Sequence, residues 1–202
     1  DLFNFAETLG ANQSAADIVI ANAGIAASAP LDKTDSALWE QIIAVNLTGP
    51  FLTLREGLVR MKAANCRQGR LIAIASMTAK RAYPYISAYA ASKHGVLGLV
   101  KSAALEVAAL RDTGAGSAQE NITVNAICPG YLDTEMTQSS ITNIARKTGL
   151  SSEQAAEKLR NYSPQKRLFT ADEVAQAALY LASPAASGIN GQALSIDGGE
   201  TW

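Results

Sequence analysis

Four short runs of aliphatic and β-branched residues, separated by helix-length segments, constrain this chain more than any other feature of its sequence. They are DIVIA at 17–21, RLIAIA at 70–75, ITVNAIC at 122–128 and ALSID at 193–197. Runs this short and this apolar read as strands buried on both faces. Helices are expected over 35–64 and 88–110, and shorter ones near 139–148, 152–161 and 172–181. In the first, Leu38, Trp39, Ile42, Ile43, Val45, Leu47, Phe51 and Leu54 supply the apolar stripe. Ser151 with Gln154, and Thr170 with Glu173, have the spacing of capping boxes that open helices. Strands alternating with helices predict an α/β fold, a doubly wound parallel sheet covered on both sides. No repeat, low-complexity tract or linker divides residues 1–202, so one domain is expected.

Composition narrows the partners. Seventeen basic residues against eighteen acidic ones leave a net charge of −1, which gives no broad field toward nucleic acid or a membrane surface. No apolar run approaches the ~18 residues of a membrane span, and DLFNFAETLG lacks the features of a secretion signal. Cys66 and Cys128 form no CxxC pair, so neither a disulfide framework nor a metal site is expected. A small-molecule partner and a reducing, cytoplasmic setting follow as expectations. A doubly wound sheet ordinarily opens with a strand and a Gly-rich turn that seats a pyrophosphate on a helix N-terminus. No such turn stands in this chain, so its first βαβ segment and phosphate loop are read as missing.

The chemistry concentrates around Tyr89 and Lys93. Their i, i+4 spacing puts a phenol and an ammonium on one face of a helix. A free tyrosine titrates near ~10, and acid/base work near neutrality needs that lowered by about 3 units, roughly 4 kcal/mol. A unit charge about 4 Å away supplies about that much at an effective dielectric near ~20. Alone, such a pair is more often a solvated helix face. Ser76, however, ends the run 70–75 and so presents its hydroxyl at the carboxyl edge of the sheet, where ligands bind in such folds; by itself it would read as a cap or turn residue. Asn46 and Pro50 make a second constellation. In an α-helix the carbonyl of residue 46 would accept from residue 50, and proline has no N–H. That carbonyl could hold a water that relays protons from Lys93, or Gly49-Pro50 could simply kink the helix.

With these residues in hand, the chain resembles the short-chain dehydrogenase/reductase family along its whole length. Asn22-Ala23-Gly24 is similar to that family's NAG turn, Asn46 to its helix asparagine, and Ser76 with Tyr89 and Lys93 to its serine and YxxxK. Pro129-Gly130 and Thr134 resemble its PG…T segment, and Asp197-Gly198-Gly199 its DGG. The resemblance implies a Rossmann-like fold and an NAD(P)-dependent oxidoreductase that interconverts a secondary alcohol and a ketone. Tyr89 would be the general acid/base, Ser76 would orient the substrate oxygen, Lys93 would lower the phenol pKa and bind ribose, and Asn46 would hold the relay water. Asn22, Gly24, Pro129, Gly130, Leu132 and Thr134 would face the cofactor, with Asp1, in an acidic motif resembling the family's adenine contact. That motif would place about 50–60 residues before the chain, at roughly 30 or more per βαβ unit. The cofactor would be NAD or NADP, with the lean toward NAD.

Tyr83 and Tyr85, between Ser76 and Tyr89, could line the substrate pocket or act as ordinary loop anchors. Residues 135–167 occupy the place of the family's substrate lid, where Met136, Ile141, Ile144, Leu159 and Tyr162 could face substrate or pack the lid. His94 follows Lys93, but one residue turns it about 100° away, toward packing or an interface. Helices 35–64 and 88–110 resemble the family's assembly helices, so a homotetramer or homodimer is expected. The lid resembles that of family members acting on 3-hydroxyacyl or 3-hydroxy acid substrates, which implies a 3-hydroxyacyl or 3-oxoacyl type substrate. Sugar, polyol or steroid dehydrogenases share the same site, and a catalytically silent assembly or regulatory relative is the rival from another class. Ala21, where the family usually has asparagine, and a long connection before Asn121 are departures away from the chemistry.

Overall fold

The computed structural model describes residues 16–109 and 121–201. The apolar runs form parallel strands β1 (Ile18–Ala21), β2 (Arg70–Ile74), β3 (Thr123–Pro129) and β4 (Ala193–Ile196), hydrogen-bonded in that order. Ile20 pairs with Ile72, Ile72 with Asn125, and Ile127 with Leu194. The helices are α1 (Ser36–Ile43), α2 (Gly49–Ala63), α3 (Ser87–Ala109), α4 (Glu135–Thr148), α5 (Ser152–Arg160) and α6 (Ala171–Ala182).

The period-2 pleat sorts the strand residues onto two faces. Val19, Ala21, Leu71, Ala73, Val124, Ala126 and Cys128 meet Leu54 and Met61 of α2 and Val96, Val100, Ala104 and Val107 of α3. Ile72 and Ile127 point the other way, under Val174, Ala177, Ala178 and Leu181 of α6. The parallel, doubly covered sheet is therefore as the sequence predicts, and each buried aliphatic side chain contributes roughly 1.5–3 kcal/mol before entropy. At Gly57 a Cβ would stand 3.1 Å from both Val19 and Leu71, so this glycine is what lets α2 lie close on the sheet. β1 is the edge among the described residues, and Ile18 and Ile20 on its second face are 48% and 43% exposed.

Two helices differ from expectation. α4 begins at Glu135 rather than near 139, because Thr134 has the extended backbone of an N-cap and Glu135 places a negative charge in the first turn. The segment 35–64 is a single rod interrupted by a π turn at Ala44–Thr48, where the Gly49 N–H reaches the carbonyl of Ala44. Pro50 then sits in the first turn of α2, where a missing N–H is harmless. Contrary to the expectation that no apolar segment approaches a membrane span, this rod, Ser36–Ala63, is by length and composition long and apolar enough to cross a membrane. Here it packs on the sheet through Leu54, Gly57 and Met61, while Trp39, Phe51, Leu52 and Val59 are exposed. Both capping boxes form as expected, at Ser151–Gln154 and Thr170–Glu173.

Candidate active site

β2 delivers its carboxyl end to Ser76, a residue in extended conformation that is 8% exposed. Its Oγ accepts from the Thr78 N–H at 3.1 Å, so Ser76 is at once the cap of the turn Met77–Ala79 and a hydroxyl at the sheet edge. Tyr89 lies in the first turn of α3, and its phenol is within hydrogen-bonding range of Ser76. Lys93, one turn further, is buried; its Nζ donates to the Ile74 carbonyl at 2.9 Å and lies 5.8 Å from the centre of the Tyr89 ring. The structure thus brings together the serine, tyrosine and lysine that the sequence singles out.

Their electrostatics correct one expectation. Burial pushes the Tyr89 phenol above its ordinary 10.0, and the Ser76 hydrogen bond only partly opposes this. The expected lowering assumed a full charge about 4 Å away. Desolvation instead brings Lys93 from 10.5 down to about 8, so the ammonium is itself held weakly, and it is aimed at a backbone carbonyl as well as the ring. Burial outweighs charge pairing here.

Asn46 is fully buried within the π turn. Its side chain bonds the backbone of Ile25 twice, accepting from the N–H at 2.9 Å and donating to the carbonyl at 2.8 Å, and a weaker bond of 3.4 Å reaches Ser92. The amide thereby fixes the loop after β1 that carries Asn22 and Gly24. The sequence, through Pro50, points only to its main chain. Pro50 donates to nothing in either helical register, but the i−5 pairing of this segment shifts the missing bond toward Val45 as well as Asn46. Asn46→Ala would orphan both Ile25 groups, and we expect a loss of about 2–4 kcal/mol in urea unfolding. A loss below about 1 kcal/mol would show that the clamp is dispensable.

The residues assigned to a dinucleotide sit along the carboxyl edge of the sheet. Asn22 is exposed and Gly24 half-buried, and a Cβ on Gly24 would stand 3.6 Å from Lys93 Nζ. Pro129 ends β3. Gly130 is tight for another reason: a Cβ there would lie 3.2 Å from Asp197, so this glycine seats the Asp197 turn. Leu132 forms an isolated parallel bridge with Phe169, in which Asp133 donates to Phe169 and Phe169 to Tyr131. In that pattern the N–H and carbonyl of Leu132 point to the opposite side. The Thr134 hydroxyl makes no capping bond to α4. A free backbone pair and a free hydroxyl at one edge fit the carboxamide of a nicotinamide. Asp1 lies outside the described residues.

The remaining candidates separate. Tyr83 donates to Glu200 and packs edge-on against Tyr162, with ring centres 5.2 Å apart. Tyr85 is 65% exposed with φ 69°, and its carbonyl accepts from Ala29, so its backbone rather than its ring is the anchor. His94 is exposed, and its Nδ1 is 2.9 Å from the Ala90 carbonyl of its own helix. Within residues 135–167, Ile141 and Leu159 pack on Ala155 and Ala156, with Ile144 against them. Met136 stays exposed and Tyr162 turns to the tyrosines. Sequence reasoning missed Tyr131, which stacks on Tyr162 at 5.9 Å, and Glu200, buried beyond the DGG turn. The position of Tyr131 between Gly130 and Leu132 was the available signal; Glu200 carried none.

A family profile described as Enoyl-(Acyl carrier protein) reductase matches residues 1–201. The D-beta-hydroxybutyrate dehydrogenase of Rhizobium meliloti (strain 1021) is 40% identical over 187 residues, 92% of this chain and 68% of that protein. A variant of actinorhodin polyketide ketoreductase solved with NADPH superposes with a TM-score of 0.84 at 30% identity, over 98% of this chain and 72% of its own. Sorbitol-6-phosphate 2-dehydrogenase from Erwinia amylovora gives 0.87 at 29% identity, over 100% and 75%. With the parallel sheet, the Ser76–Tyr89–Lys93 grouping and the match along nearly the whole sequence, the chain belongs to the short-chain dehydrogenase/reductase family of oxidoreductases.

Proposed function

We infer that the protein interconverts a secondary alcohol and a ketone by hydride transfer, using NAD or NADP. The observation that carries this reading is Lys93, an ammonium buried against a phenol at the edge of the sheet although burial depresses it to about 8. A protein used only for assembly has no physical reason to keep such an unfavourable group beside Ser76 and Tyr89. When bound, the nicotinamide supplies or takes the hydride. The Tyr89 phenol donates its proton to the substrate oxygen in reduction and takes it back in oxidation. Ser76 donates to the same oxygen as charge builds on it. Lys93 lowers the phenol from its buried value by holding positive charge beneath the ring, and its contact with Ile74 keeps it there. Asn46 locks the loop of Asn22 and Gly24, and its carbonyl holds the relay water. Leu132 and Thr134 orient the carboxamide, and residues 135–167 close over substrate. The lean to NAD among the two cofactors stays part of this proposal. A 3-oxoacyl type substrate is the finer reading, and the exposed Trp39, Phe51, Leu52 and Val59 support assembly into a homodimer or homotetramer.

The test is a cofactor-dependent change in nicotinamide absorbance with a panel of ketones and alcohols. Turnover with any of them, with both cofactors compared, is the expected result. Tight cofactor binding with no turnover across acyl, sugar, polyol and steroid ketones would favour the silent relative instead.

A further inference from the structure

Beside Tyr89 lies a group of side chains that the reaction above leaves unused. Tyr83, from the loop after Ser76, reaches the buried Glu200 with its hydroxyl, and also stands 4.0 Å from the sulfur of Met77. Its ring meets Tyr162 from the lid, and Tyr162 stacks on Tyr131. Three segments far apart in sequence therefore converge on one aromatic wall with a carboxylate behind it. Tyr131 lies close enough to Tyr162, Glu200 and Tyr89 that, after burial itself, their proximity raises its phenol further.

The charges facing Glu200 are few. Asp197 adds a like charge, and Arg81 is the described cation that offsets it, lying 5.6 Å over the Tyr83 ring. Lys80, the neighbouring base, is committed to the Ala193 carbonyl at 2.7 Å and Ser195 Oγ at 2.8 Å. Lys93 serves Tyr89. An anionic substrate group entering over the tyrosines would meet two carboxylates, Glu200 and Asp197, against Arg81, the one cation that faces Glu200 among the described residues. A neutral group would find aromatic faces and phenol donors.

We propose that the Tyr83–Glu200 pair, walled by Tyr131 and Tyr162, makes this site select uncharged ketones and alcohols over their carboxylate analogues. The selection rests on the reading of Tyr89 as the acid/base. It sets this chain apart from the D-beta-hydroxybutyrate dehydrogenase it resembles, whose named substrate is a short hydroxy acid. Glu200 acts on the substrate's charge and on the placement of Tyr83, not on the reacting bond.

The experiment compares ethyl 3-oxobutanoate with 3-oxobutanoate, which share the reacting carbonyl and differ in charge, using the full-length protein with NADH or NADPH. The ester should exceed the anion in kcat/KM by about tenfold or more, mostly in KM, as expected for like charges brought together. In Glu200→Gln the ratio should narrow by about fivefold or more. A parallel titration of both ketones into Tyr89→Phe loaded with reduced cofactor, followed by nicotinamide fluorescence, reads the same preference as binding. Tighter binding of the ester there supports the selection even if neither compound turns over, an outcome that would count against Tyr89 alone. Equal or tighter binding of the anion, or a ratio untouched in Glu200→Gln, overturns the proposal.

Discussion

Replacing Tyr89 by Phe should lower turnover by roughly 10³-fold or more while leaving the fold and cofactor affinity in place. The change deletes one oxygen beside Ser76, and the ring against Lys93 remains. The hydroxyl's hydrogen bond to Ser76 is the interaction lost, so stability should fall by only about 1 kcal/mol. Steady-state rates, together with nicotinamide fluorescence on titration, separate the two properties. Residual activity above about a tenth of wild type would remove Tyr89 from the role of acid/base, since proton transfer by a positioned group contributes about 10²-fold at the least.

Lys93→Met should produce opposite effects on activity and stability. Turnover should fall by about 10²-fold or more, because Ser76 alone then opposes the effect of burial on the phenol. Stability at pH 7 should rise by about 1–2 kcal/mol. Folding lowers the lysine from 10.5 to about 8, so the folded state binds fewer protons than the unfolded one between those values. Wild-type stability therefore climbs as pH rises through that window, and below pH 8 the whole penalty is present. The shift corresponds to about 3 kcal/mol, and the lost hydrogen bond to Ile74 offsets about 1 kcal/mol of the gain. Urea unfolding of both proteins at pH 7 and pH 10 reads the prediction: the variant's advantage should be present at the lower pH and largely gone at the higher. A variant less stable than wild type at pH 7 would mean that Lys93 stabilises the fold, and the case for a functional lysine would weaken.

The fold was legible because its determinants are local. Apolar runs such as RLIAIA can be buried only on two faces, and Thr170 with Glu173 announces a helix start whatever surrounds it. The register of the long helix was less so. A proline in the first turn of α2 and a π turn before it satisfy the same sequence as a kinked α-helix, and the structure adopts the former, with α2 close on Val19 and Leu71. At the site, the grouping of Ser76, Tyr89 and Lys93 was legible because their placement follows from spacing along one helix and one strand end. The Asn46 clamp on Ile25 and the Tyr83–Glu200 pair join residues 21 and 117 positions apart, so no local pattern encodes them. The raised phenol escaped for a related reason: desolvation depends on everything packed around Tyr89, not on its nearest charge.

The most direct test of hydride transfer follows the label itself. Cofactor deuterated at C4 of the reduced nicotinamide should leave deuterium on the carbinol carbon of a ketone product, with the hydroxyl proton drawn from solvent through Tyr89. Product formed with solvent hydrogen on that carbon, or no cofactor-dependent product with intact holoprotein, would contradict the account.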